Sequence, residues 1–160
     1  MRSANSRRGE RAAIGIGAAM AAGIAGMLSG PVSADPLLTY PLKIKGHALR
    51  VELAASEEDK RTGLMFRRNL GENSGMLFVY ENEGRWAMWM RNTYLPLSVA
   101  FIDRDGRIIN IEDMQPLTED SHQAAGPAKY ALEVNRGWFA KRGIGRGDRI
   151  QGLDKIPVQN

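Results

Sequence analysis

Polar side chains that could bind a ligand gather where an aromatic segment of the sequence ends. Asn92 and Thr93 come shortly after Trp89, and their amide and hydroxyl groups both donate and accept hydrogen bonds. At the mouth of a cleft they would anchor a ligand against the apolar wall of Trp89. Arg67 carries a guanidinium that can hold a carboxylate or a phosphate. The competing interpretation is that Asn92 and Thr93 shape a turn and that Arg67 stabilises a helix end.

Among the acidic residues, Glu133 has the position best suited to acid–base chemistry. It lies in the apolar run 130–135, on the strand face that it shares with Ala131. If both faces of that strand are covered, the carboxylate is buried, and we expect an ion pair with Arg67 or Arg91. Burial would also raise its pKa, which would suit a general acid or base. If the face is open, Glu133 is a solvated acid.

Metal, cofactor and nucleophile motifs are weak in this sequence. The chain has no cysteine and two histidines, His47 and His122, which lie far apart, whereas a zinc site normally needs three or four ligands. Methionines could bind copper(I), but Met88 and Met90 lie in an aromatic strand, where methionine usually fills a core. No glycine-rich phosphate loop or nucleophile elbow is present. We therefore predict no cofactor and no metal, and leave open whether the protein is an enzyme.

The first 34 residues have the pattern of an export signal. Basic residues end at Arg11, residues 12–28 carry no charge, and Val32-Ser33-Ala34 is a small-residue cleavage pattern. We predict cleavage after Ala34 and a periplasmic or secreted protein. The alternative is an uncleaved anchor, because the uncharged run is at the short edge of what spans a bilayer. Arg7 and Arg8 leave the twin-arginine route open beside the general one.

Charge and size constrain the part after this leader. The 160 residues have a net charge of +4, but the first 34 hold four arginines against one acid, which leaves 18 basic and 17 acidic residues. A nearly neutral domain gives no reason to expect nucleic-acid binding. We expect the protein to contact a membrane only through this leader, before the leader is cleaved. We predict one domain over 35–160, which is cysteine-free and therefore stabilised by its core.

Short apolar runs between turn residues predict a mainly β fold. The runs are 38–45, 47–53, 76–80, 86–90, 97–102, 107–112, 130–135 and 149–153. Ser56 and the acids after it predict a short helix that ends near Leu64 or Met65, and a helical turn is expected at Trp138. Asp105-Gly106 predicts a hairpin. These elements predict a compact antiparallel β-barrel or barrel-like sandwich with one or two short helices.

An ordered series of motifs resembles the exported bacterial family called domain of unknown function 192. The matching segments are Gly63-Leu64-Met65 with Arg67 and Leu70, Gly75-Met76-Leu77-Phe78, Trp89-Met90-Arg91-Asn92-Thr93 with Pro96-Leu97, Ala100-Phe101-Ile102-Asp103, Ala131-Leu132-Glu133-Val134-Asn135 with Gly137, and Gly147-Asp148. They run in order through almost the whole chain after the leader. The resemblance implies a compact β-rich fold and export, and it implies no established activity.

Three functions remain open at this point. The first is a binding module for a small anionic or cell-envelope ligand, with a site formed by Arg67, Trp89, Asn92, Thr93 and Glu133. The second is a periplasmic hydrolase that uses a buried carboxylate, for which Glu133 is the candidate. The third is an accessory protein that binds a partner through an apolar patch and catalyses nothing.

Overall fold

A computed structural model describes residues 38–157 and defines their strands and helices. The predicted export signal and its cleavage site lie outside the described residues. The elements are β1 (Thr39–Ile44), β2 (His47–Ala54), α1 (Glu57–Thr62), β3 (Ser74–Gly84), β4 (Ala87–Met88), β5 (Leu97–Ile102), β6 (Ile108–Met114), β7 (His122–Gln123), β8 (Ala128–Asn135) and β9 (Ile150–Gln151), with 3-10 turns at Ala140–Arg142 and Leu153–Lys155. The prediction of a mainly β, barrel-like fold with short helices is confirmed.

Within residues 38–157, seven of the strands form one curled sheet in the order β6-β5-β8-β3-β2-β1-β9. All neighbouring pairs are antiparallel except β2 and β3, which run parallel. A parallel pair needs a crossover connection, and α1 lies in the one between these strands. The described sheet is therefore antiparallel, as predicted, at every pair but this one.

The two edges of the curled sheet meet at one point. Arg107, just before β6, forms a β-bridge with Arg149, just before β9. The Ile150 amide also donates to the Gly106 carbonyl at 2.8 Å, and the Ile108 amide donates to the Asp148 carbonyl at 2.9 Å. These bonds cover edge groups that would otherwise be free to pair with other chains.

Local sequence explains the first two turns. Lys45 and Gly46 both have positive φ, 46° and 84°, as a tight two-residue hairpin requires. Ser56 caps α1 by accepting a hydrogen bond from the Asp59 amide at 3.1 Å. The helix ends at Thr62, earlier than predicted, because Gly63 turns the chain away with a φ of 48°.

Both faces of the sheet are covered, so the domain has two apolar clusters. All six residues of β5 are buried. Its even-numbered apolar residues Ala100 and Ile102 join Leu132 and Val134 in the first cluster. Its odd-numbered residues pack in the second cluster, together with residues of β3 and β8 that include Phe78. The second cluster is the one that surrounds Glu133.

The segment 86–90 forms less strand than predicted. Only Ala87–Met88 pairs, with β7, a two-residue strand inside what the sequence indicated was a loop. The predicted alternation of faces still holds, because Trp86 and Met88 are half-buried and Met90 is buried, whereas Ala87 and Trp89 are exposed. Ala87 and Met88 of β4 also line the cavity described below.

Candidate functional site

Glu133 lies at the centre of the sheet, on strand β8. Its register partners are Met76 on β3 and Val99 on β5, both of which are buried. The Glu133 side chain is 4% exposed, and within residues 38–157 no ion pair or hydrogen bond engages its carboxylate. Burial raises the pKa of Glu133 to about 8, because an apolar setting penalises the charged form. At neutral pH this carboxyl group is therefore mostly protonated and can donate a hydrogen bond.

A cavity of about 300 Å³ opens beside the Glu133 side chain. Tyr80, Met88, Trp89 and Thr93 line it together with Glu133, and α1 contributes Lys60 and Arg61. Its walls combine aromatic and thioether side chains with a comparable amount of polar surface. Polar groups placed among apolar walls can fix the orientation of a bound ligand.

Tyr80 is the second titratable group of the cavity. Its hydroxyl donates to Met88 Sδ at 3.5 Å, and its ring stacks on Trp86 with centroids 4.4 Å apart. The pKa of Tyr80 is raised well above its usual value, first by burial and then by the negative charges of Glu133 and Glu57. Tyr80 thus stays protonated, and its hydroxyl stays a hydrogen-bond donor.

The charged residues of the cavity come from α1. Lys60 Nζ lies 2.5 Å from Glu57 Oε1 and 5.7 Å from the Tyr80 ring centroid. Arg61, next to Lys60, is exposed. Because Lys60 and Glu57 neutralise each other, Arg61 gives the α1 side of the cavity a net positive charge.

Of the five side chains predicted to form the site, the structure brings three together. Trp89, Thr93 and Glu133 line the cavity. Arg67 and Asn92 are not among the residues that line it. The other polar groups of the cavity come from α1 and from Tyr80.

Arg67 binds a different acid from the predicted one. Its two terminal nitrogens bond both carboxylate oxygens of Glu52, at 2.6 and 2.5 Å. Arg91 lies 3.7 Å from Glu119. The predicted ion pair between Glu133 and either arginine is therefore wrong. The reason is strand order: Glu52 and Glu133 flank Met76 on opposite neighbouring strands, roughly 10 Å apart.

Asn92 and Thr93 form the turn that the competing interpretation expected. Asn92 has a φ of 56°, and its carbonyl accepts a hydrogen bond from the Phe66 amide at 2.9 Å. The Thr93 hydroxyl donates to the Arg91 carbonyl at 3.3 Å. Thr93 thus shapes the loop and also lines the cavity, whereas Asn92 only shapes the loop.

Sequence reasoning missed Tyr80, Met88 and Lys60 as cavity residues. Tyr80 ends the apolar run 76–80, and a tyrosine in a buried strand usually needs a partner for its hydroxyl. This need for a hydroxyl partner was the feature of the sequence that could have identified Tyr80 as a cavity residue. Lys60 gave none, because a lysine in a helix is usually solvated.

Metal-ligand and membrane-spanning features are absent from the part of the chain that the structure describes. No three His, Asp or Glu side chains of residues 38–157 are grouped so as to hold a metal ion. No helix there has the length and apolar character to cross a bilayer. His122 Nε2 is buried without a hydrogen-bond partner, and His122 lies opposite Met88 in the register of β7 and β4.

Two solved structures share this fold, and each is identical in sequence to this chain at more than a third of the aligned positions. A candidate transcription regulator from Sinorhizobium meliloti 1021 has 37% identity and a TM-score of 0.70, over 72% of this chain and 95% of its own. A protein of unknown function from Novosphingobium aromaticivorans DSM 12444 has 38% identity and a TM-score of 0.70, over 76% of this chain and 89% of its own. The matched domain makes up almost all of the first chain.

The chain matches a protein family but no curated protein. No protein of curated function matches the chain. The family DUF192, described as an uncharacterized ACR, matches residues 40–152, which is the larger part of the sequence and contains every residue of the cavity. The chain therefore belongs to the DUF192 family.

Proposed function

We propose that this protein is an exported binding protein for a small ligand, and that the ligand occupies the cavity beside Glu133. The observation that carries the proposal is a buried carboxyl group that lines a cavity and has no partner among the described residues. Because the carboxyl group faces the cavity, its hydrogen-bonding capacity is available to a ligand there.

The cavity's polar groups favour a ligand with a hydrogen-bond acceptor at its inner end. Protonated Glu133 is a donor there, because its pKa is about 8. The walls suit an apolar body, since Trp89 and Met88 form part of them. Arg61 would attract an anionic group at the α1 side. Small carboxylates and acylated envelope fragments have this combination of groups.

Binding of small carboxylates tests the proposal. The chain from Asp35 onward is titrated with monocarboxylates from acetate to benzoate and with N-acetylated amino sugars, and thermal shift and calorimetry are measured. We expect at least one of them to bind below pH 8 and to lose affinity above it, because ionised Glu133 repels an acceptor. Glu133→Gln keeps a donor but cannot ionise, so its affinity should not change across pH 8.

The matched control is Arg146→Gln, an exposed arginine outside the cavity. It should bind as the parent does, whereas Arg61→Gln should lower the affinity for anions by roughly fivefold. Absence of binding by every probe, or an affinity for a carboxylate that rises with pH in the parent, would contradict the proposal.

A hydrolase is the second candidate, and the observation that favours it is the same carboxyl group. A general acid works best when its pKa lies near the working pH, and that of Glu133 is about 8. Hydrolysis of chromogenic esters and glycosides by the parent, lost in Glu133→Gln, would support it. Unchanged rates in that variant would assign the hydrolysis to another group and remove this candidate.

The proposed location is the periplasm or the medium, and it depends on residues 1–34. A basic start, an uncharged apolar run and Val32-Ser33-Ala34 support cleavage after Ala34. The mass of the protein recovered from the cell envelope fraction tests this. A mature chain that begins at Asp35 is the expected result, and an intact Met1 would indicate the anchor instead.

A further inference from the structure

Four large apolar side chains are exposed around one loop of the domain. Phe66 is 61% exposed, Leu117 58%, Trp89 46% and Tyr94 39%. Single exposed apolar residues are ordinary, but a group of them usually marks an interaction site. We call these four residues the apolar rim.

Backbone hydrogen bonds bring the members of the apolar rim together. The Phe66 amide donates to the Asn92 carbonyl at 2.9 Å, and the Leu117 amide donates to the Thr93 carbonyl at 3.0 Å. The loop 89–94 therefore carries Trp89 and Tyr94 itself and has Phe66 and Leu117 bonded to its middle. The rim is one surface built from three chain segments.

The backbone holds two of these side chains in an uncommon conformation. Phe66 and Leu117 have φ values of 63° and 61°, which bulky residues rarely adopt and which cost on the order of 1 kcal/mol each. Their backbone amides bond the loop 89–94, yet more than half of each side chain remains exposed. A surface that covers them would bury this apolar area.

Arginines border the apolar rim. The Arg68 guanidinium lies 4.5 Å from the Tyr94 ring centroid, and that of Arg91 lies 5.6 Å from the Trp89 ring. Glu119 is 3.7 Å from Arg91. Arg61 lines the same cavity as Trp89. Two exposed guanidinium groups, those of Arg68 and Arg91, thus lie against aromatic rings of the rim.

We propose that the apolar rim docks the domain onto an anionic phospholipid surface. Tryptophan, tyrosine, phenylalanine and leucine insert at the headgroup level, and arginines beside them bind lipid phosphates. Trp89 belongs to both the rim and the cavity wall, so docking turns the Glu133 cavity toward the bilayer. This goes beyond the expectation that only the leader meets a membrane, and it does not depend on what the cavity binds.

Vesicle binding tests the proposal. The chain from Asp35 to Asn160 is pelleted with vesicles of phosphatidylcholine, with and without phosphatidylglycerol. We expect stronger binding to the anionic vesicles and a fall of about tenfold or more in partition coefficient for Phe66→Ser with Leu117→Ser. Leu38→Ser, which removes an exposed apolar residue outside the rim, should bind as the parent does.

The contribution of the arginines to vesicle binding is tested separately. Arg68→Gln with Arg91→Gln should weaken binding to anionic vesicles by about fivefold for each arginine, while Arg104→Gln with Arg146→Gln should have a smaller effect. Trp89 emission should shift to the blue on binding, and Trp89→Phe should abolish that shift. Glu133→Gln should pellet like the parent, which separates this proposal from the function of the cavity.

Three outcomes would overturn the proposal. They are no pelleting by the parent, equal pelleting by the parent and the Phe66-Leu117 double variant, and a parent dimer in light scattering that the double variant makes monomeric. The last outcome would assign the rim to a second copy of the chain. Circular dichroism of each variant verifies that the loss is not one of folding.

Discussion

Burial determines the chemistry of Glu133. Its carboxylate has no cation beside it, so desolvation acts alone and raises the pKa to about 8. Arg67 shows the opposite case, because a bidentate bond to Glu52 raises the pKa of Arg67. Glu52, which is paired, and Glu133, which is not, thus lie on the same face of the sheet, and of these two only Glu133 lines the cavity.

Glu133 should make stability fall as the pH rises. Its pKa is about 8 in the folded protein and near 4.5 in the unfolded chain, so between these values the folded form holds a proton that the unfolded form has lost. The contribution of Glu133 to the free energy of unfolding should therefore be largest below about pH 4.5, and it should be lost, by on the order of a few kcal/mol, as the pH rises to about 8. Urea unfolding at pH 5 and 8 measures this.

Glu133→Gln should remove most of that pH dependence, because glutamine does not ionise. Glu119→Gln is the control, since Glu119 is an exposed acid whose loss should leave the slope in place. An unchanged slope in Glu133→Gln would show that another group causes the dependence.

Arg67 is expected to stabilise the fold rather than to bind the cavity ligand. Arg67→Ala leaves the Glu52 carboxylate without its partner, and we expect a loss of about 1–2 kcal/mol in the free energy of unfolding, because both groups are partly exposed. Urea unfolding measures the loss. Carboxylate affinity should stay within about twofold of the parent, and a tenfold loss would place Arg67 in the site after all.

At the scale of elements, the contact between β3 and β8 positions the carboxyl group. Gly75 on β3 pairs with Val134, and a Cβ built on Gly75 would lie closer to the Glu133 carbonyl than any real contact. Glycine therefore allows these two strands to approach at the point where Glu133 is held. The crossover through α1 then adds Lys60 and Arg61 to the same side.

Gly75→Ala should destabilise the domain by roughly 3 kcal/mol, since the added methyl group meets backbone rather than a movable side chain. Thermal unfolding measures the effect, and ligand binding should weaken with it because β8 must shift. Gly145→Ala is the matched control, because no atom lies within 4 Å of its Cβ position. Equal melting temperatures for the two variants would contradict the close approach.

At the scale of the whole molecule, the sheet curls until its edges meet. Strand β9 has two residues, yet its bonds to β1 and to the segment before β6 join the two edges. Ile150 is buried in the first apolar cluster. A short final strand therefore completes a core that the longer strands begin.

Ile150→Ala should lower the free energy of unfolding by about 2–4 kcal/mol through the cavity it leaves. Because one sheet shares both clusters, unfolding should remain a single transition. Tryptophan fluorescence and far-ultraviolet circular dichroism in urea should give coincident curves. Separate transitions would show that the two clusters unfold independently.

The sequence alone determined most of the local structure. A run that is apolar except for Ser98 predicted β5 with its observed bounds, Ser56 predicted the start of α1, and alternation predicted the two opposite faces of 86–90. These features depend on neighbours within a few positions, where side-chain spacing and backbone preference act directly. The family resemblance also followed from short motifs in order.

Only the tertiary structure decided which side chains meet. The order β2-β3-β8 puts Met76 between Glu52 and Glu133, so Arg67 reaches the first acid and leaves the second unpaired. No local pattern contains that order, because it arises from pairing between strands far apart in the chain. The cavity and the raised pKa of Glu133 follow from that pairing, and so does the chemistry proposed for this protein.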